Sequence, residues 1–564
     1  MKILEMAVLL CLVAVHVSAQ VPTAIYFNGR IWTDPERPDH FVEAIAVHQQ
    51  RVLQIGNNAS IKALAGPATQ LYDLGGRLMT PGFNDAHIHF LSGSLGLAQI
   101  DLAGASTLQE ACQLITAYIQ QHPDRPWYTG GGWQYSLFAG GLPHKQLLDS
   151  LMPDKPVYLS AYDGHSGWVN SKALALANIT ATTRFDGFGS IGRDANGEPN
   201  GVLLEGAQQL VRKMIPPASN DTRRQALLSG MQYAASLGIT AIQNASGSVE
   251  EFGLYEQLLK ENKLTLRSST AFSIGRSSRP ADLVNFQKIS RRYAQHPMLR
   301  APAVKLLLDG VIESHTAAML EPYADTAILG ELALPAPTYQ RLVRSADSAG
   351  FQVYTHAIGD RAVREVLNAY ETIIRKRGSN TLRHRVEHIE TCEPADVLRF
   401  ASLGVLASME PIHADPGTVA VWEKAVGPKR LPGAFQWKNM LEKKITLVYS
   451  SDWPAAISLS PIRGIHVAVN RQTPDGYPPG GWVPAQRISV AEAMKAYTWG
   501  GAYASFREHE LGKLQPGYLA DMIVLDQDVF RIDPSRIHSV KVDMTIFNGR
   551  PVYQRTTTTS NNSK

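Results

Sequence analysis

Cysteine is scarce in this chain, with three in 564 residues. Cys11 lies in the N-terminal leader described below, which leaves Cys112 and Cys392, far apart and both read as free thiols. So few cysteines exclude a disulfide-stapled scaffold and a cysteine-rich metal site. Any metal must be held by His, Asp, Glu or a rarer ligand. An excess of one charge is also missing: 54 Lys and Arg face 50 Asp and Glu, for a net +4. Without a basic cluster, nothing supports nucleic-acid binding. Long apolar runs are absent as well. The run Ala7 to Val15 is too short to cross a bilayer. With Lys2 before it and Val17-Ser18-Ala19 after it, it reads as a secretory signal over 1–19. The mature chain is then expected outside the cytoplasm, periplasmic or secreted, with no membrane span.

Glycine and proline are plentiful, at 45 and 33. They mark many turns, as in a strand-rich or α/β protein. Two distant segments echo each other: Ala24–Trp32 with Asn28-Gly29, and Met544–Tyr553 with Asn548-Gly549. Each reads as a β-hairpin. With other strand-like pieces nearby, they suggest a small β-sandwich assembled from 20–80 and 510–555. The polar tail 556–564 reads as disordered.

The middle, 81–509, alternates apolar strand-like runs with periodic helical stretches such as Thr338–Ser348 and Arg361–Arg375. Eight strands are expected: Arg77–Pro81 running on to His89, Gly238–Asn244, Leu264–Phe272, Ala303–Asp309, Phe351–His356, Arg383–His388, Gly404–Met409 and Ile445–Ser450. Strands separated by helices predict an α/β fold, a (β/α)8 TIM barrel. The gap between the first two strands is too long for one crossover. Residues 95–230, rich in Gly, Trp and Tyr, are expected to form an inserted lid over the barrel mouth.

Chemistry collects at the proposed strand ends, where such barrels place their active sites. His87 and His89 stand two apart, so an extended strand aims both imidazoles to one side. Lys305, His356, His388 and Asp452 fall at later strand ends, and His413 follows the seventh. Read singly, each has an ordinary alternative: a core histidine, a polar strand end or a helix cap. Their recurrence at consecutive strand ends points to a shared metal site. The strand-two segment Ile242–Ala245 offers no evident ligand.

These residues sit in runs that resemble the amidohydrolase superfamily. Pro81-Gly82-Phe83-Asn84-Asp85-Ala86-His87-Ile88-His89 resembles its strand-one metal motif. Gly512-Lys513-Leu514 through Asp521 resembles its return segment. Asp163-Gly164-His165, Trp168–Leu174, Asp309-Gly310, Glu321-Pro322-Tyr323 and His356–Asp360 are similar to the amidohydrolase 3 branch, which includes N-substituted formamide deformylase-like proteins. The resemblance implies that His87, His89 and Asp452 bind one metal, and that His356 and His388 bind a second. It further implies a carboxylated Lys305 bridging the two, with two zinc ions per chain. Asp452 would move the proton, with His165 and His413 as candidate donors to the tetrahedral intermediate. The implied reaction uses a metal-activated hydroxide to cleave a non-peptide C–N bond of an amide, N-formyl amine or cyclic amide. Deamination of a heterocyclic amidine is an alternative, and a non-catalytic binding protein a distant one. Small-molecule substrates and a homodimer also fit the family. Where relatives commonly carry Gln, this chain has Glu410, whose charge is expected to favour a polar or cationic substrate.

Overall fold

A computed structural model describes residues 20–556. The expected leader at 1–19 and all but the start of the expected tail lie outside them.

Two sheets built from both ends of the chain face each other. One has four strands, ordered Arg51–Gly56, Ala44–His48, Ala24–Phe27, Gln70–Asp73. The other has six, ordered Arg550–Gln554, Val542–Phe547, Met522–Leu525, Leu78–Pro81, Arg30–Trp32, Phe41–Val42. Tyr26, Ile45 and Val47 of the first pack against Met79, Met522, Val524 and Ile546 of the second. Burying these apolar faces together is what holds two open sheets as a sandwich.

The two Asn-Gly segments behave differently. Val542–Phe547 and Arg550–Gln554 form the expected hairpin, with Asn548 at φ 49° and Gly549 at φ 75°. A two-residue type I′ turn needs both positions left-handed. At the N-terminal copy only Asn28 is left-handed (φ 54°). There the chain turns a corner between sheets, and the expected hairpin does not form. Past the corner, Arg30 lies 3.4 Å over the Phe41 ring and pairs with Asp528 at 2.7 Å.

Eight parallel strands form the barrel: Phe83–Ile88, Ile239–Gly247, Arg267–Ser273, Leu299–Leu307, Gln352–Ala357, Arg385–His388, Leu406–Met409 and Leu447–Tyr449. The last meets the first through two backbone bonds beyond the strand ends, Asp452 N to His87 O (2.8 Å) and His89 N to Trp453 O (2.9 Å). The closure therefore draws the residues of interest together. The expected first strand is in fact two. Leu78–Pro81 pairs antiparallel with Met522–Leu525 in the sandwich, and the barrel strand begins at Phe83. Gly82 makes this break: a Cβ there would lie 2.3 Å from Thr240 Oγ1.

Between the first and second barrel strands lies a fourth sheet, of six strands. Its order is Gly189–Arg193, Pro199–Glu205, Ser166–Val169, Val157–Ala161, Tyr128–Trp133, Ile100–Asp101. Trp133, Leu159 and Trp168 fill a separate core beneath it. It meets the barrel mouth through contacts such as Tyr162 Oη to Glu313 Oε1 at 2.7 Å. Cys112 and Cys392 are both free thiols. Among the described residues, no helix is long and apolar enough to cross a membrane.

Candidate metal centre

The first barrel strand alternates, so Asp85, His87 and the residue just past its end, His89, share the inward side. His87 is fully buried. Its Nδ1 donates to Glu387 Oε2 at 2.6 Å. That bond fixes the tautomer and leaves Nε2 as a lone pair. Glu387 is in turn held by Arg385, whose Nε donates to its other oxygen at 2.6 Å. Burial pushes the Glu387 carboxyl up, and Arg385 and Lys305 oppose it.

Asp452 reaches the same point from the other side of the barrel seam. Its Oδ1 lies 3.4 Å from His87 Nε2 and 3.2 Å from His89 Nε2, yet it is buried with no well-directed hydrogen bond. Burial favours the neutral acid here. The close imidazole of His89 and the neighbouring His388 and His413 win, holding Asp452 below the usual carboxylate range. A buried anionic oxygen without a partner, faced by two imidazoles, is costly unless a cation satisfies it. The donor set His, His, Asp fits a zinc-like divalent metal.

The remaining expected ligands lie alongside. Lys305 is 5% exposed, and its Nζ is 2.9 Å from His87 Nε2. Burial draws its ammonium below the ordinary lysine value. His388 and His356 stack edge to face with ring centroids 4.3 Å apart. His388 Nδ1 donates to Glu410 Oε2 at 2.8 Å, which leaves Nε2. His356 Nε2 donates to the Gly310 carbonyl at 3.2 Å, which leaves Nδ1. Burial lowers the pKa of both, His388 to about 3. Neutral imidazoles are the form that binds metal.

The backbone is bent to achieve this. His388 has φ 77° and Asp452 φ 58°, both left-handed without being glycine. A regular strand would send Glu387 and His388 to opposite faces. The turn at His388 lets both face the interior. Such strain clusters where function requires it.

Among the described residues, His87, His89 and Asp452 form one tight group of possible ligand atoms. His388, Glu410 and His413 form a second, and His87, Glu387 and Glu410 a third. His356 belongs to none of the three, although it touches His388. Glu410 differs from its expected role. It is fully buried behind His388, with Ser450 Oγ on its other oxygen at 2.9 Å, and burial pushes it up to about 8. It orients a histidine and does not line the adjoining cavity.

Beside the centre opens a cavity lined by Tyr162, His165, Glu313, Glu390, His413 and Asp452 among others. His165 offers this cavity an uncommitted Nε2, since its Nδ1 is bound to Glu205 Oε2 at 2.8 Å. His413 is more occupied: Nε2 donates to the Ala455 carbonyl at 3.1 Å, and Nδ1 lies 3.4 Å from Glu390. Glu387, Glu390, Glu313 and Glu205 escaped the reading of the sequence. For Glu387 a signal existed, because Arg385 and Glu387 stand two apart in the strand that carries His388.

Glu387→Gln removes the charge that makes His87 a stronger ligand. Metal affinity is expected to fall about 10- to 100-fold, measured by titration in metal buffers. Unchanged affinity would mean that Glu387 only fills space.

Comparison with known proteins places the chain in a family. A model of the amidohydrolase family matches residues 70–553. The chain is 32% identical over 538 residues to the Arabidopsis thaliana protein LONG AFTER FAR-RED 3, covering 93% of this chain and 91% of that one. It is 26% identical over 550 residues to an N-substituted formamide deformylase from Arthrobacter pascens, covering 95% and 99%. A crystal structure of an uncharacterized metal-dependent hydrolase from Pyrococcus furiosus superposes with TM-score 0.68 and 26% identity, over 90% of this chain and all of that one.

Proposed function

The chain belongs to the amidohydrolase family as a metal-dependent hydrolase of carbon–nitrogen bonds, and from that premise we propose that its substrates are N-formyl amines, other amides or cyclic amides. The observation that carries the site assignment is the unpartnered Asp452 oxygen between His87 and His89. We assign those three residues to one metal and His356 and His388 to a second, with zinc as the ion that suits such donors. Lys305 joins them as a carbamate. Its buried amine favours the neutral form, which adds CO2 through nitrogen and releases a proton, giving an anionic oxygen ligand in place of a cation.

A divalent metal bound there supplies Lewis-acid polarisation of the scissile carbonyl and lowers the pKa of water from about 15.7 to about 7. Asp452 accepts the proton of the attacking water and returns it to the leaving nitrogen. His165 donates Nε2–H toward the oxygen that becomes anionic. His413 donates there only if its contact to Ala455 opens; its nearer task is to set a charge beside Asp452. A leader over 1–19 would export the enzyme, which we include in the proposal. The similarity to a formamide deformylase supports placing N-formyl amines first among substrates.

The test is a screen of the zinc-loaded mature chain against N-formyl, N-acyl and cyclic amides, read as carboxylate formed. Ammonia release from a heterocyclic amidine, with no amide cleaved, would replace this reading by deamination.

The donor role of His165 has a pH signature. Burial alone would lower its pKa, but Glu205 outweighs it and raises the group to about 9. His165 therefore keeps its proton at neutral pH and loses it as pH rises through that value. The folding stability this pair contributes is full below the unfolded value of about 6.5 and fades over the same rise. The kcat profile is expected to fall with an apparent pKa at or below about 9, because nearby metal charge shifts it downward. Activity still rising beyond that pH would contradict the donor role.

A further inference from the structure

His165 belongs to the inserted sheet, whereas the proposed metal ligands belong to the barrel. What fixes one against the other is Glu205, the last residue of the strand Pro199–Glu205. Its backbone sits at φ 51°, ψ −128°, a region that non-glycine residues rarely adopt. Its N–H donates to the His165 carbonyl at 2.9 Å. Its carboxylate is used on both oxygens. Oε2 takes His165 Nδ1–H at 2.8 Å, and Oε1 takes the Thr316 hydroxyl at 2.5 Å.

Thr316 lies in the barrel loop after the fourth strand. Its Oγ1 also accepts the Val311 N–H at 3.0 Å, which aims the hydroxyl. Gly310 of the same loop gives its carbonyl to His356 Nε2. A Cβ at Gly310 would lie 2.2 Å from Glu205 Oε1 and 2.1 Å from Thr316 Oγ1. A side chain there would therefore push Glu205 away. One loop thus orients a proposed metal ligand and clamps the carboxylate that orients His165.

We propose that Glu205 is a positioning residue, locked by Thr316, that holds His165 with Nδ1–H engaged and Nε2 facing the cavity. The inserted sheet then completes the reaction centre only when it is seated on the barrel loop. A strained backbone is kept at Glu205 because three bonds from two parts of the fold over-determine it. This inference rests on the reading of His165 as the donor to the substrate oxygen.

The test uses the zinc-loaded full chain and acetate as a product-like probe, with affinity read by calorimetry and zinc content measured in parallel. Removing a hydrogen bond to a charged oxygen weakens binding about tenfold or more. His165→Ala is expected to show that loss, and Glu205→Gln a comparable one. The double variant should add little, as for residues acting through one contact. Thr316→Ser should retain wild-type affinity and Thr316→Val should lose part of it, all with unchanged zinc content. If His165→Ala weakens acetate but Glu205→Gln does not, the positioning role is overturned and the donor role stands. If His165→Ala binds acetate like the wild type, or the wild type does not bind it at all, the donor reading itself fails. If the single losses add in full, Glu205 acts independently of His165 and the proposal is wrong.

Discussion

Asp452→Asn is expected to lower kcat/KM by about 10³-fold or more, as proton transfer alone contributes about 10²- to 10⁴-fold and the metal site weakens as well. The amide keeps the volume and the left-handed backbone position, so folding should survive. What it removes is the negative charge between His87 and His89. In the wild type that charge persists against burial because imidazoles surround it. Asn also cannot take a proton from water or return it to the leaving nitrogen. Two quantities should therefore fall together: zinc bound per chain, and turnover of whichever amide the screen finds. Activity within about tenfold of wild type would leave too small an effect for a general base.

Lys305→Met is the second large effect. Methionine approximates the length of the side chain without the amine, so no carbamate can form. The substituted residue is apolar, of similar volume, and sits where 5% exposure already penalises charge, so the fold is expected to survive. Zinc content is expected to drop from two per chain toward one, and kcat to fall about 10²-fold or more, since the Lewis-acid contribution is worth several kcal/mol and each 1.36 kcal/mol is about tenfold. Loading the wild type in CO2-free buffer should mimic the variant, and added bicarbonate should reverse that effect but not the substitution. A variant that binds two zinc ions and turns over normally would remove Lys305 from the centre.

The proposed ligand residues are legible in the sequence because each depends on local pattern. A two-residue period aligns His87 with His89, and a strand end followed by a loop marks Lys305, His356, His388 and Asp452. The barrel was legible for the same reason: strand and helix periods alternate along the chain. Contacts set by tertiary closure were not. Glu205 meets Thr316 across 111 residues, and Glu387 meets His87 across 300. Neither spacing has a sequence signature. Glu410 stood out by its charge, but only the fold reveals that it faces His388 and not the cavity. The Asn28-Gly29 segment shows the limit of local turn chemistry. Its residues match those of the true hairpin at Asn548-Gly549, yet the strand after it pairs in another sheet, where Arg30 stacks on Phe41 and pairs with Asp528.

The proposed reaction needs a metal seated among His87, His89 and Asp452, and anomalous diffraction at the zinc edge from crystals of the zinc-loaded chain tests this most directly. The expected map has a strong peak touching those three residues and a second, about 3.5–4 Å away, touching His356 and His388. A map with no peak between His87, His89 and Asp452 would contradict it.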